Sequence, residues 1–320
     1  MKKISVLIFV LISNLLCFAQ ENQLLRIGVL NGPSCIPMAY MMENTKQLNG
    51  SQITYEKFAD PQALLPKMIK NEIDVGFLPV NVAVKVYNSS NKAIICCGIT
   101  GNGNIALITT DKNIKRFSDL KGHTVSVAGQ GATPDYMFRY LLEQNSVPVG
   151  EPNVVLDYST PNAQIAAQLI SGKTRYAVVP EPFVSVAKIK SRNVNTALDF
   201  QKEYESLNGS GETYPLTVMV VRKAFAEEKK DQLNEFLKSY EKSYQWTVKN
   251  PVSAGKLSEK HKLGLTADIV AKAVPNSNYT FVPAVESQKQ INSLLEIFRL
   301  YDSSSFGAIF PDKDFYFSGE

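Results

Sequence analysis

Two stretches of this chain can be laid over one another, and that internal repeat constrains its fold more than any single motif. In the first, residues 26–30 read as a short apolar strand and Asn31-Gly32-Pro33-Ser34 as a turn. Pro37 then opens a helix with Met38, Met41 and Met42 at helical spacing. In the second, residues 123–127 are a strand and Gly129-Gln130-Gly131 a turn. Thr133 caps a helix whose first residue is Pro134 and whose apolar face carries Met137, Tyr140 and Leu141. An extended run, glycine for a tight backbone and a cap followed by proline are the local signals of a strand-to-helix turn. The next units match as well. Asp60-Pro61 starts a helix carrying Leu64, Leu65, Met68 and Ile69, followed by a strand at 73–78 that ends at Pro79. Thr160-Pro161 starts a helix carrying Ile165, Ala166, Leu169 and Ile170, closed by Gly172 and followed by a strand at 176–179 that ends at Pro180. With strands at 53–58 and 153–157 between them, each half reads β-α-β-α-β, which requires parallel strands and helical crossovers. The expected fold class is α/β, with two Rossmann-like lobes.

That topology carries a functional expectation. In open α/β sheets ligands bind beyond the carboxyl ends of the strands, where the loops gather. Here those loops are residues 31–37 and 79–83 in one half, and 129–134 and 180–183 in the other. Two halves facing each other enclose a central cleft, a preferred place for a small molecule; two independent units with no shared site are the alternative. After the second unit, a polar stretch at 203–212 leads to a strand at 214–221, then helices at 227–248, 266–273 and 286–300. If that strand returns to the first sheet, one lobe comprises residues 20–109 and 213–320 and the other residues 110–212. Connections near 108–112 and 208–216 then form a hinge.

The first 19 residues read as an export signal. Lys2 and Lys3 make a basic start, and residues 4–16 an apolar core too short for a convincing membrane span. Cys17-Phe18-Ala19 then places small residues for cleavage before Gln20. Lipid attachment at Cys17 is the alternative, although Leu16 stands where a small residue is normally wanted. The expected location is periplasmic or extracellular. Beyond the signal the charge balance is 32 basic to 30 acidic residues, too even to point to nucleic acid or anionic lipid. Cys35, Cys96 and Cys97 remain, an odd count with an adjacent pair that is no disulfide framework. Buried free thiols are the expectation. Neither His123 nor His261 has a cysteine at ligand spacing, so no metal site and no cofactor are expected.

Several stretches, in order along the chain, resemble a known family: Glu72-Ile73-Asp74-Val75-Gly76-Phe77-Leu78-Pro79, Asp119-Leu120-Lys121-Gly122-His123-Thr124-Val125, residues 171–182 with Pro180-Glu181-Pro182, Tyr214-Pro215, and Trp246 with Asn250-Pro251 and Ala254. They are similar to the substrate-binding proteins of ABC transporters in the nitrate, sulfonate and thiamine-precursor group. Thr174-Arg175 departs from the pattern, which usually has a small apolar residue and an aspartate there. The resemblance covers nearly the whole mature chain and implies the type II periplasmic binding fold, with a small-molecule solute gripped between the lobes of a monomer that docks on a membrane permease. It also implies ligand contacts from Asn31 and Ser34, from Asn81, from Thr100, Gly101 and Asn102, from Gln130, Gly131, Ala132 and Thr133, and from Glu181.

Local chemistry refines the site. The helix start at Pro134 offers unpaired N–H groups and a positive dipole end, able to hold an anion without a basic side chain; a merely tight turn at Gly129 and Gly131 is the alternative. Glu181, between two prolines, accepts from a ligand amine or ring N–H, or else from its own turn. Asp135 reads as a first-turn acid. Residues 31–37, 79–84 and 129–134 contain no Lys or Arg. An amine-bearing heterocycle, a thiamine-precursor-like pyrimidine stacked on Tyr136 or Phe183, therefore stands slightly ahead of a sulfonate. Tyr240, Tyr244 and Trp246 read as core, and His123 and His261 as solvated. The competing function is an enzyme of cofactor biosynthesis on the same fold. Against it, no Ser/His/Asp or Cys/His set falls on these loops, so no catalytic residue is expected.

Overall fold

The computed structural model describes residues 24–319. The expected export signal and Cys17 lie outside the described residues. In the first half, β1 (Leu24–Leu30) leads through a short 3-10 turn (Pro33–Cys35) to α1 (Met38–Asn44). Then come β2 (Gln47–Leu48), β3 (Ser51–Phe58), α2 (Pro61–Ile69), β4 (Val75–Pro79), α3 (Val80–Ser89) and β5 (Ile94–Asn102). The second half contains β6 (Ile105–Thr109), β7 (Thr124–Val127), α4 (Thr133–Gln144), β8 (Val155–Asp157) and α5 (Asn162–Ile170). It continues with β9 (Tyr176–Pro180), α6 (Phe183–Lys190), β10 (Asn195–Asp199) and α7 (Phe200–Asn208). The chain returns with β11 (Pro215–Arg222), followed by α8 (Lys223–Glu228), α9 (Lys230–Lys249), α10 (Pro251–Lys260), α11 (Ala267–Ala273), β12 (Tyr279–Pro283) and α12 (Ala284–Tyr301).

These strands form a seven-stranded sheet, in the order β12-β5-β11-β4-β1-β3-β2, and a five-stranded one, β10-β6-β9-β7-β8. The repeated units pair as expected: β1 runs parallel to β3 and β4, and β7 parallel to β8 and β9. The sheets are nevertheless mixed. β11 enters antiparallel between β4 and β5, and β12, β6 and β10 are also antiparallel to their neighbours. The two caps differ too. Asp60 caps α2 by accepting from the Ala63 N–H (2.9 Å), whereas at α4 the cap is Ala132 and Thr133 is already helical. The helix expected over 227–248 breaks at Lys229 into α8 and α9.

The first crossing between the sheets differs from its expected place near 108–112. Residues 105–109 are β6, paired with β9 and β10, so the chain crosses at Gly103-Asn104 and returns between Asn208 and Pro215. The two crossings touch: a Cβ on Gly103 would sit 2.4 Å from the Tyr214 ring, so only glycine passes there. Asp74 ties the first sheet together. It is buried, and Arg26 from β1 donates to it at 2.8 and 2.9 Å while Arg222 from β11 donates to the same carboxylate. At the departure Thr174-Arg175, Arg175 pairs instead with Asp111 at 3.0 Å.

Cys35, Cys96 and Cys97 are buried free thiols, and burial pushes Cys35 and Cys96 up to about 12. Tyr240 is buried and Trp246 stacks on Tyr40 at 4.4 Å between ring centres. The histidines are less solvated than expected. His261 Nε2 lies 2.9 Å from Glu43, and the His123 ring lies against Tyr176, because each packs where two elements meet.

Candidate functional site

A cavity of about 310 Å³ lies where the strand ends of the two sheets face each other. Across the first sheet its wall is a single in-register row: Tyr279 of β12 pairs with Gly101 of β5, Gly101 with Thr217 of β11, and Thr217 with Pro79 of β4. All four line the cavity. The β5–β11 register shifts on either side of the Gly101–Thr217 pair, and the consecutive residues Thr100 to Asn102 and Leu216 to Thr217 all line the cavity. From the second sheet come Ile105 and Pro180, themselves paired, followed by Glu181.

Helix starts complete the enclosure. α3 begins directly after Pro79 and presents Asn81 and Val82; α4 presents Ala132, Thr133 and Pro134. Unpaired first-turn N–H groups and the dipole give both ends partial positive character. Asn81 is held from behind, its amide donating to the Ser305 carbonyl at 3.3 Å. Thr100 donates to the Thr217 carbonyl, also at 3.3 Å, locking β5 to β11 at the cavity wall.

Glu181 faces the cavity but is already engaged. Its carboxylate accepts from the Ser185 N–H (3.1 Å) and hydroxyl (3.0 Å), closing the first turn of α6. Burial holds its carboxyl above the usual carboxylate range, against the lowering effect of those two bonds. A carboxylate has about four acceptor positions, so capacity remains for a donor in the cavity. Two further acceptors, Asn102 Oδ1 and Asn104 Oδ1, belong to lining residues and are buried without a partner. Among the described residues that line the cavity there is no Lys, Arg or His.

Of the residues singled out from the sequence, Ser34, Asn81, Thr100, Gly101, Asn102, Ala132, Thr133 and Glu181 come together on this cavity. Asn31, Gln130 and Gly131 do not line it. Asn31 and Gln130 are exposed, and the Asn31 N–H is spent on the Phe58 carbonyl at 2.8 Å. In the glycine turn, the Gly129 N–H donates to Asn162 (2.8 Å) and the Gly131 N–H to Asp135 (2.9 Å), so neither points at a ligand. Asp135 also holds Arg139 at 2.6 Å, as a first-turn acid. The stacking expectation moves as well. Tyr136 packs between Phe298 and Tyr301 and Phe183 against the second core; the aromatic side chain on the cavity is Tyr279. Asn104, Leu216, Thr217, Ser277 and Tyr279 were not anticipated. Ser277 and Tyr279 lie outside the repeat, and no local pattern marks a residue that reaches a site only through antiparallel pairing.

The NMT1-like family model matches residues 19–257, about three quarters of the chain. This chain belongs to the NMT1-like family. The fold of this NMT1-like protein is that of type II periplasmic binding proteins. An ABC transporter structure from Parabacteroides distasonis superimposes with a TM-score of 0.79 at 23% identity, covering 92% of this chain and 98% of that one. The periplasmic aliphatic sulphonate binding protein SsuA from Escherichia coli follows at 0.68 and 17%, covering 88% and 87%. The periplasmic nitrate-binding protein NrtA from Synechocystis PCC 6803 gives 0.61 and 13%, covering 92% and 84%. No curated protein sequence matches the chain. Among the described residues no cluster of His, Cys, Asp or Glu could hold a metal ion, and no helix is long and apolar enough to cross a membrane.

Proposed function

We propose that this NMT1-like protein is the extracytoplasmic solute-binding component of an ABC importer, a monomer that delivers a small polar solute to a membrane permease. The observation that carries this reading is the shared cavity, walled by strand ends of both sheets and by the starts of α3 and α4. Capture proceeds by hinge closure about the crossings at Gly103-Asn104 and 209–214. The protein works in the periplasm or outside the cell, released by cleavage before Gln20 or tethered through Cys17. At about 310 Å³ the cavity sits at the low end of the roughly 300–1,000 Å³ typical of ligand pockets, which favours a solute about the size of one ring.

The contacting residues are those singled out above that line the cavity. Buried acceptors without basic side chains favour an amine-bearing heterocycle, such as a thiamine-precursor-like pyrimidine. A sulfonate is the second reading, supported by the helix starts of α3 and α4. Calorimetry with both classes decides the order. A pyrimidine binding with sulfonates silent supports the first; tight sulfonate binding with pyrimidines silent reverses it. A solute at a hundred times its Kd should add about 2.7 kcal/mol to folding stability. Recovery of the solute unchanged after incubation separates a binding protein from an enzyme of cofactor biosynthesis, which would consume it.

A further inference from the structure

Glycine stands in a strand interior at a cost in chain entropy, and usually because the backbone needs a positive φ or because another group approaches closely. β5 and the crossing after it contain three glycines, and two follow that rule. Gly98 has φ +156°, and a Cβ there would lie 2.4 Å from the Val282 carbonyl oxygen. Gly103 is pressed by the Tyr214 ring. Gly101 stands where the β5–β11 register shifts on either side, yet neither reason holds for it. Its φ lies outside the left-handed region, and a Cβ built on it meets no atom within 4 Å, although the residue is buried. Interiors are otherwise packed to crystal-like density, so a buried position with open space before it marks room for something other than protein, water or a ligand. The space is the cavity itself.

The neighbours of Gly101 give the space a shape. Tyr279 and Thr217 flank it in register, so their Cα atoms stand about two strand spacings, roughly 9.5 Å, apart with bare backbone between them. The Tyr279 ring is pinned, its hydroxyl donating to the Pro33 carbonyl at 2.7 Å. One wall of the depression is thus an aromatic side chain held by that hydrogen bond, and the floor is a peptide without a side chain. We infer that Gly101 and Tyr279 are the specificity-determining residues of the cleft, forming a slot that selects a flat, monocyclic nitrogen heterocycle over a compact anion. Tyr279 lies beyond residues 19–257, the part of the chain that the family model matches. The inference rests on the cavity being the solute site.

The test is calorimetry and thermal unfolding of the full mature chain and its variants with two panels. One holds flat rings (4-aminopyrimidine, cytosine, 2-aminothiazole, imidazole); the other holds nitrate and ethanesulfonate. At least one ring should bind the wild type, and Gly101→Leu should weaken it about a hundredfold by filling the slot. Gly101→Ala should cost less, Tyr279→Ala about two- to tenfold through lost stacking, and Tyr279→Phe least. Without ligand, Gly101→Ala should melt no lower than the wild type, since the added Cβ enters empty space and the entropy cost of glycine is removed. A ring that binds Gly101→Leu as well as the wild type overturns the slot and leaves the solute-binding reading intact. So does binding of the anions alone. A Gly101→Ala protein that is destabilised makes the glycine structural and also overturns it. Silence of both panels overturns slot and solute-binding reading together.

Discussion

Glu181 occupies two roles at once, the acid that closes α6 and an acceptor on the cavity wall. Because burial raises its carboxyl, the folded protein holds that proton more tightly than the unfolded chain. Its contribution to stability is therefore complete below the ordinary Glu range, near pH 4.3, and is lost as pH rises through the folded-state value. Glu181→Gln removes this dependence. Urea unfolding should show the variant gaining on the wild type from about pH 4 upwards, with the gap closing again on acidification. An unchanged gap across that window would place the cost elsewhere. Asp74 is buried and paired with two guanidinium groups, those of Arg26 and Arg222. Asp74→Ala leaves Arg26 and Arg222 facing each other and should cost about 3–5 kcal/mol in denaturant unfolding. Single residues were readable where chemistry and neighbours in sequence coincide, as at Glu181 between its prolines. Asn31 and Gln130 do not line the cavity, because facing the cleft depends on how far each turn rotates, and nothing local records that.

Elements meet in ways their own propensities oppose. Gly255 lies inside α10, where alanine would ordinarily stabilise a helix by about 1 kcal/mol. Here a Cβ would stand 2.3 Å from the Ala267 carbonyl oxygen at the start of α11. Gly255→Ala should therefore destabilise, by about 1–3 kcal/mol in urea titration; a gain would show that the two helices separate freely. The starts of α2 and α4 stood out through Asp60-Pro61 and Pro134, and the repeated parallel strands through their short apolar runs. β5 did not, because it is buried at eight consecutive positions and shows no alternation. Nor did the break at Lys229, where no glycine or proline interrupts the helical pattern.

At the scale of the molecule the two sheets are joined by more than their crossings. α12, from the returning segment, packs on α4 of the second half: Tyr136 lies 4.7 Å from Phe298 and 5.9 Å from Tyr301 between ring centres, and the Tyr301 hydroxyl donates to Glu143 at 2.9 Å. Asp302 accepts from Tyr136 while the next turn holds Asn81, so one short segment touches both α4 and α3. Tyr301→Ala should loosen this contact. Aromatic pairs contribute about 0.5–1.5 kcal/mol, so solute affinity should fall roughly two- to tenfold. Small-angle scattering should show a more extended unliganded protein. An unaltered scattering profile with unaltered affinity would mean that the contact persists through opening.

The sequence by itself determined the α/β class, the repeated parallel units and the gathering of loops at strand ends, because periodicity, caps and turn residues act over a few positions. The tertiary structure alone decided where the chain crosses between the sheets, which strands run antiparallel, and that Tyr279 and Thr217 stand beside Gly101. Those outcomes depend on pairing between residues 113 to 185 positions apart, and pairing at that distance is selected by packing rather than written into any local pattern.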